Sequence, residues 1–330
     1  MTLSRDPVDL VVESRAHGWR VDHYLARLYP NYSRGLFQKA IEQHVVLVNG
    51  LAVKASRRLR VNDRLSVRLP ELPDESITPE DLPFQVIFED DVLAVVNKPD
   101  DMVTHPSKGH LKGSLAAALQ FHFDKLSDAA GKLRPGIVHR LDRHTTGLLL
   151  VAKDNTVHHL LSKQFELREV KKEYRALVRG VPECDRGRID TYIRVHPKRR
   201  EKMLVCLEGG NARHAVTDYE VLEKFRGFAH VRLSPRTGRT HQLRVHLRHL
   251  KHPILADKLY GGSEVLRLSE LIEPEVKAAD EVADALISRQ ALHAFRLTFR
   301  HPVSDEILTF EAPLPSDFLR TLEALRTHRS

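Results

Sequence analysis

The segment His139-Arg140-Leu141-Asp142-Arg143-His144-Thr145-Thr146-Gly147, running into Leu148-Leu149-Leu150-Val151-Ala152, constrains this chain more than any other stretch. One carboxylate stands among two arginines and two histidines, directly ahead of an apolar run that predicts a buried strand. Burying a carboxylate is costly unless it is paired or hydrogen-bonded. Asp142 is therefore either one half of a structural ion pair or a reactive group held at the mouth of a core strand. The rest of the chain has to supply what it works with.

The 330 residues suffice for one large domain and a small one. A hydrophobic content of 42% fits a packed core rather than disorder. No apolar run approaches the roughly 18 residues a membrane helix needs, so no membrane partner is expected. Met1 to Asp9 is polar and carries Asp6 and Asp9, which does not fit a secretory signal. Cys184 and Cys206 form neither a zinc spacing nor a disulfide framework, and both points predict a reducing cytoplasm.

Charge is informative by position. Between Arg20 and Arg68 there are ten Lys or Arg against three acids, a net +7 out of +8 for the whole chain. A basic block of this kind favours a polyanion; a merely solvated basic face is the plain alternative. The same segment is foldable. Val21, Tyr24, Leu25 and Leu28 recur at the helical period, Pro30-Asn31 breaks that helix, and Ser33 can cap a second with Leu36, Phe37, Ala40 and Ile41 on one face. Val45 to Val48 reads as a strand turned by Asn49-Gly50, with another near Arg64 to Leu69. As a set, Arg20-Val21-Asp22, Leu25, Ser33-Arg34, Val46-Leu47-Val48-Asn49-Gly50 and Asn62-Asp63 resemble the S4-like RNA-binding domain. Asn62 stands where that domain usually carries glycine. The resemblance implies RNA contacts through Arg20, Ser33, Arg34, Lys39, Lys54, Arg57 and Arg58. A basic module that docks protein is the competing reading.

Glu71 to Pro83 holds five acids, three prolines and no base, and reads as an extended, solvated linker. That puts the small module at residues 10–70, the linker at 71–83 and a large domain at 84–320. In the large domain, strands are expected at Val86–Phe88, Val92–Val96, Gly147–Ala152, Tyr174–Gly180, Ala215–Glu223 and Phe228–Leu233. Helices are expected at Gly113–Phe123, Thr156–Phe165 and Thr240–Leu250. No regular βαβ repeat emerges, which predicts an α+β fold: a largely antiparallel mixed β-sheet flanked by helices, preceded by the small α/β module. Ser263 to Gln290 is acidic and helix-prone and reads as an insertion.

Two further clusters accompany the Asp142 segment. One is Lys171-Lys172-Glu173-Tyr174-Arg175, a tyrosine flanked by cations. The other is Arg236-Thr237-Gly238-Arg239-Thr240-His241-Gln242-Leu243-Arg244-Val245-His246, continuing to His252-Pro253-Ile254 and Asp257. An arginine fork fits a carboxylate, a tyrosine offers a flat face to a nucleobase, and clustered cations position phosphates. No Gly-rich phosphate loop is present, which argues against a nucleotide cofactor. His241, His246, His249 and His252 raise zinc, but no Cys or Glu completes a familiar ligand set, so no metal is expected.

Taken in order, Asn97-Lys98-Pro99 with His105-Pro106, Gly136 to Asp142, Lys172-Glu173-Tyr174, Gly238 to His246, and His252-Pro253-Ile254 with Asp257 resemble the RluA-type pseudouridine synthases across nearly the whole large domain. An S4-like domain ahead of it is similar to the ribosomal-RNA-modifying branch. The resemblance implies that Asp142 is the catalytic carboxylate acting on the ribosyl–base bond of a uridine. Arg244 would be its ion-pair partner and Tyr174 would stack on the base. Arg140 would help hold the target flipped out and Leu243 would form a pocket wall, with His139, Arg239, His241, Gln242, Lys98 and His105 also at the substrate. It implies an isomerase without cofactor, acting as a monomer on large-subunit ribosomal RNA, free or in an assembling particle. The alternatives are the same chemistry on transfer RNA and a non-catalytic S4-type RNA-binding protein. The chain departs from the family pattern at three positions: His144 replaces a common Asp, Thr146 a common Ser, and Asp101 a usual Gly. His144 is expected to tune Asp142 or touch phosphate.

Overall fold

The computed structural model describes residues 7–30, 32–69, 77–106, 112–272 and 285–330. The chain forms two compact units, residues 1–75 and 76–330.

The first unit contains β1 (Val8–Val11), α1 (Val21–Leu28), α2 (Arg34–Glu42), β2 (Val46–Val48), β3 (Leu51–Ala52) and β4 (Arg64–Val67). Its antiparallel sheet runs β1-β4-β2-β3. The apolar faces of both helices close over it: Val21, Tyr24 and Leu25 from α1, and Phe37, Ala40 and Ile41 from α2, pack with Val46, Val48, Leu65 and Val67. Ser33 caps α2 by accepting the Leu36 N–H at 3.2 Å. Asn49 and Gly50 both have positive φ, as a two-residue hairpin turn of the primed type needs. Asn62 has φ 68°, so the position where glycine is usual does demand a left-handed backbone, which asparagine tolerates. β1, absent from the sequence reading, extends this module ahead of residue 10.

The second unit contains β5 (Gln85–Glu89), β6 (Leu93–Lys98), α3 (Leu115–His122), β7 (Thr146–Ala152), α4 (Asn155–Glu166), β8 (Lys171–Arg179), β9 (Arg186–Val195), β10 (Met203–Cys206), β11 (Arg213–Phe225), β12 (Phe228–Pro235), α5 (Gln242–His249), β13 (Leu266–Arg267), β14 (Ala285–Ile287), β15 (Leu292–Arg300), β16 (Ile307–Glu311) and α6 (Ser316–His328). A ten-stranded sheet runs β10-β9-β11-β12-β8-β15-β7-β6-β5, with β16 pairing β15. The pairings are antiparallel except β15 with β7. This is the expected α+β architecture.

The apolar run of β7 is explained by cover on both faces. Leu149 and Val151 pack with Leu115 and Leu119 of α3, whereas Leu148, Leu150 and Ala152 pack with Val157 and Leu161 of α4. Alternate residues of a strand face opposite sides, so a strand sandwiched between helices must be apolar at every position. α5 lies across the β8–β12 half of the sheet, where Leu243 and Leu247 join Leu177, Val231 and Leu233.

Two sequence expectations are corrected. The second half of the expected linker is only partly solvated: Thr78, Pro79, Asp81 and Pro83 are exposed, but Ile77 is buried with Leu82 and Phe84 against the α3 side of the large domain, and Glu80 accepts the Gly113 N–H. Residues 71–76 lie outside the described residues. In place of one long helix, the flanks of the expected helical insertion hold two short strands and a single 3-10 turn at Leu268–Glu270. β13 pairs β14, and Leu266, Leu271 and Ile287 enter the main core; residues 273–284 lie outside the described residues. Apolar residues every few positions suited either conformation, and core contacts decided it. The last helix, α6, also carries the large unit past residue 320, with Phe318, Leu322 and Leu325 buried.

The basic face of the first unit is organised by one acid. Asp22 is fully buried at its side chain and accepts hydrogen bonds from Arg20 Nε at 3.0 Å, Arg34 Nε at 3.0 Å and Gln38 Nε2 at 2.8 Å. Burial alone would raise its pKa, but these donors outweigh it and hold the carboxyl well below the usual range. Stability from such a group is fully present above the unfolded pKa, near 4, and is lost as the pH falls toward the lower folded value. Trp19, the single tryptophan, stacks on His23 at 5.1 Å and reports this unit alone. Asp22→Asn is expected to lower the stability of this unit by roughly 1–2 kcal/mol at pH 7, measured by tryptophan fluorescence in denaturant. The difference from wild type should shrink below about pH 4; an equal difference at pH 7 and pH 3 contradicts the assignment.

Candidate active site

Asp142 sits in the loop that feeds β7, and this loop is pinned from several directions. The Asp142 carbonyl accepts the Thr145 N–H at 3.1 Å, closing a tight turn. The Thr104 hydroxyl and the Leu141 backbone exchange hydrogen bonds at 2.8 and 3.2 Å. Gln290 donates to the Thr145 hydroxyl at 2.8 Å, and Thr146 Oγ1 meets His293 Nδ1 at 2.8 Å. Just behind, Gly147 has φ +111° in the parallel pairing with β15, and a Cβ there would collide with the Ala294 backbone. Any side chain at this position would push the loop off the sheet.

Arg244, in the first turn of α5, supplies the partner. Its Nη1 donates to Asp142 Oδ2 at 2.9 Å. Its other edge makes a two-point contact with Asp257: Nε to Oδ2 at 2.7 Å and Nη2 to Oδ1 at 2.9 Å. Asp257 is fully buried, whereas the Asp142 side chain is 20% exposed. The guanidinium is therefore fixed from behind and presents one N–H forward. Burial would lower the Arg244 pKa, but the two carboxylates outweigh it and raise it. Oδ1 of Asp142 has no hydrogen-bond partner among the described residues.

Asp142 opens into a cleft of about 1140 Å³ whose walls also include Tyr174, Arg244, Leu243, Arg140, His139, Arg239, His241 and Gln242. Tyr174 lies on β8 opposite Leu233 and Ala294. Burial, followed by the nearby Asp142 charge, raises its hydroxyl pKa, so the ring presents a neutral phenol. Lys172, two residues earlier on the same strand face, lines the cleft over the Phe165 ring at 5.5 Å. The clusters read from the sequence as one site thus share one cleft.

Several expected substrate contacts are corrected. Lys98 is fully buried and donates its three N–H bonds to the carbonyls of Pro99, Met102 and Arg143, each at 2.8 Å. It braces the Asp142 loop and has no donor left for substrate. Gln242 is similarly spent: its amide donates to Val216 O and Thr217 Oγ1, while its carbonyl accepts from Thr237 Oγ1 and Arg239 N. His139 Nε2 accepts the Leu150 N–H at 3.0 Å and the ring stacks on Phe165; burial pushes its pKa down to about 3, so it stays neutral. Only its ring belongs to the cleft wall. His105 does not line the cleft, and burial with Arg134 and Arg140 nearby depresses it to about 4.

The three family departures also find places. His144 turns to Asp100 at 3.1 Å and does not line the cleft. Asp101 has φ 55°, which explains the usual glycine, and accepts from Arg143 Nε at 2.7 Å. Thr146 keeps the hydroxyl that meets His293. In the first unit Ser33 caps α2 as an acceptor and keeps its O–H to donate, Arg20 and Arg34 are shared with Asp22, and Lys39, Lys54, Arg57 and Arg58 are exposed. Among the described residues no cluster of metal-ligating side chains exists, and His246 is held between Thr217 and Thr191.

Two residues were missed as parts of the site, Thr104 and Tyr260, and a third, Asp257, was read in its cluster without a role. Asp257 closes the third motif of the sequence, and an acid that late in a cation-rich motif was the available signal. Thr104 and Tyr260 carry no signal short of the fold.

A family model of RNA pseudouridylate synthases matches residues 92–249, and a model of the S4 domain matches residues 19–65. An uncharacterized RNA pseudouridine synthase of Chlorobaculum parvum is 43% identical over 312 residues, covering 93% of this chain and 94% of the relative. Ribosomal large subunit pseudouridine synthase D of Pasteurella multocida is 38% identical over 312 residues, covering 94% and 92%. Among solved structures, human RNA pseudouridylate synthase domain containing 4 superposes with a TM-score of 0.55 at 30% identity, covering 73% of this chain and 93% of that one. With the matched segments falling on the cleft-bearing unit and on the basic module ahead of it, this chain belongs to the RNA pseudouridine synthase family and carries an S4 domain.

Proposed function

We propose that this protein isomerises specific uridines of large-subunit ribosomal RNA to pseudouridine, with Asp142 as its catalytic carboxylate. The observation that carries this reading is the shared guanidinium: Arg244 binds Oδ2 of Asp142 while Asp257 locks it from behind, which leaves Asp142 Oδ1 facing the cleft. The target uridine leaves its stack, at a cost of a few kcal/mol, and enters the cleft. Tyr174 stacks on the uracil, Leu243 forms the apolar wall, and Arg140 and Arg239 hold the backbone around the flipped nucleotide. Asp142 then acts at the ribosyl carbon. The C1′–N1 bond breaks, the uracil turns, and a C1′–C5 bond forms as the C5 proton leaves and N1 gains one. Reactant and product are isomers, so the reaction itself calls for no redox cofactor or external nucleophile.

The ribosomal target rests on the names of relatives such as the Pasteurella multocida protein and on the S4 domain. The working form is a monomer in the cytoplasm, acting on free RNA or on an assembling particle. The basic S4 unit supplies general RNA affinity and the cleft supplies chemistry.

In cells lacking the protein, wild type should restore pseudouridine at defined large-subunit positions, and Asp142→Asn should restore none. Restoration by both, or by neither, refutes the enzyme reading, and restoration confined to transfer RNA moves the target. Removing residues 1–75 should weaken RNA binding and reduce the slope of log affinity against log salt by at least about 2, because each phosphate contact contributes roughly 0.7–0.9. An unchanged slope would assign the unit to protein docking.

A further inference from the structure

Tyr260 is almost fully buried, lies three residues after Asp257, and touches three elements of the site at once. Its hydroxyl accepts the backbone N–H of Met203, at the start of β10, at 2.7 Å. The same oxygen lies 3.0 Å from His241 Nδ1. Its ring faces the Arg244 guanidinium at 5.1 Å. On its other side, His241 Nε2 lies 3.9 Å from Asp142 Oδ2, the oxygen that Arg244 already holds. The His241 backbone is left-handed, with φ 53° and ψ 18°, at the residue preceding α5. A non-glycine residue held this way at a site is strained and has to be stabilised by its neighbours.

The hydrogen positions follow from what each group can do. A backbone N–H only donates, so Tyr260 Oη accepts from Met203. The single tyrosine proton is then left without another described acceptor except His241 Nδ1. If Nδ1 accepts it, the proton of the neutral imidazole must sit on Nε2, on the side of Asp142. The opposite tautomer would leave a buried hydroxyl proton unsatisfied and would aim a lone pair at a carboxylate, and both are costly. Burial lowers the His241 pKa, so the neutral ring is the relevant form.

We propose that Tyr260 is a positioning residue: its hydroxyl fixes His241 as the Nε2–H tautomer, so that this N–H stands beside Arg244 as a second donor facing Asp142. At 3.9 Å it makes no direct hydrogen bond to Asp142 in the free protein. It is free to donate to a polar atom of the substrate at the same carboxylate or to close on Asp142 in the complex. Tyr260 also ties the donor to the seat of the hairpin formed by β9 and β10, through Met203. That hairpin's tip, residues 196–202, carries Lys198, Arg199, Arg200 and Lys202 against Glu201. The role rests on the reading of Asp142 as the catalytic carboxylate, but the tautomer can be observed without turnover.

The test uses full-length protein labelled with ¹⁵N in histidine, with His241 assigned by difference against His241→Gln. Two-bond ¹H–¹⁵N correlation at neutral pH should show Nε2 protonated and Nδ1 bare in wild type. Tyr260→Phe keeps the ring and removes the hydroxyl. It should mix the tautomers and lower kcat by roughly three- to tenfold, the worth of one hydrogen bond, with KM within about twofold. A residue that only filled space would alter thermal stability without moving the tautomer. A wild-type Nδ1–H tautomer overturns the proposal, as does a Tyr260→Phe protein in which tautomer and kcat fail to change together. Should Tyr260→Phe not fold, the wild-type tautomer decides alone. A wild type that forms no pseudouridine refutes the functional reading, not the tautomer.

Discussion

One guanidinium shared between two carboxylates holds this site together. Arg244 is buried, and a buried charge has to be matched by partners of good geometry. Asp257 provides that match with both oxygens, and its Oδ1 also accepts the N–H groups of Leu259 and Tyr260, which shapes the turn around it. Asp142 receives a single N–H, from Nη1. The division is unequal: the carboxylate that is fully wrapped anchors the guanidinium, and the half-wrapped one keeps an oxygen without a partner among the described residues. Buried ion pairs are weak evidence for stability, because the desolvation penalty offsets much of the attraction. The network is better understood as a means of orientation.

Orientation from one side would achieve little if the Asp142 loop could move. Lys98 prevents that, since its ammonium sits among three carbonyls, one of them from Arg143 in the loop itself. Thr104, Gln290 and His293 complete the bracing from three other segments. A small misplacement of a reacting group costs large factors in rate. Rigid strands below and a braced loop above are a physical answer to that constraint. The basic first unit follows the same logic at lower precision, with buried Asp22 holding Arg20 and Arg34 in place while other cations remain exposed.

Much of this was legible in the sequence for identifiable reasons. The β7 run read as a core strand because Leu148 to Ala152 is unbroken by any polar residue, and the helices α1 and α2 announced themselves by their apolar period. Asp142, Arg244 and Tyr174 were singled out because their motifs resemble those of the RluA-type pseudouridine synthases, and the fold places all three on one cleft. Other features were not legible. Lys98 and Gln242 looked like substrate contacts, since a polar side chain in a motif gives no hint that its donors are spent on backbone. The flanks of the 263–290 segment looked like parts of one helix because only the core they join makes Leu266–Arg267 and Ala285–Ile287 strands. His144 looked like a charge near the reaction, and only the fold shows that its partner is Asp100. The unusual Asn62 and Asp101 became intelligible once their positive φ angles were known.

The central claim is that Arg244 acts by geometry, bridging Asp257 and Asp142, and not merely by charge. Arg244→Lys tests this most directly. A lysine keeps the positive charge but is a point donor that cannot make the two-point contact and also reach Asp142. With protein shown to be folded, pseudouridine formation on its RNA target should fall in kcat by at least about 100-fold, with KM within roughly threefold. Turnover within about twofold of wild type would show that charge alone suffices, and would contradict the account.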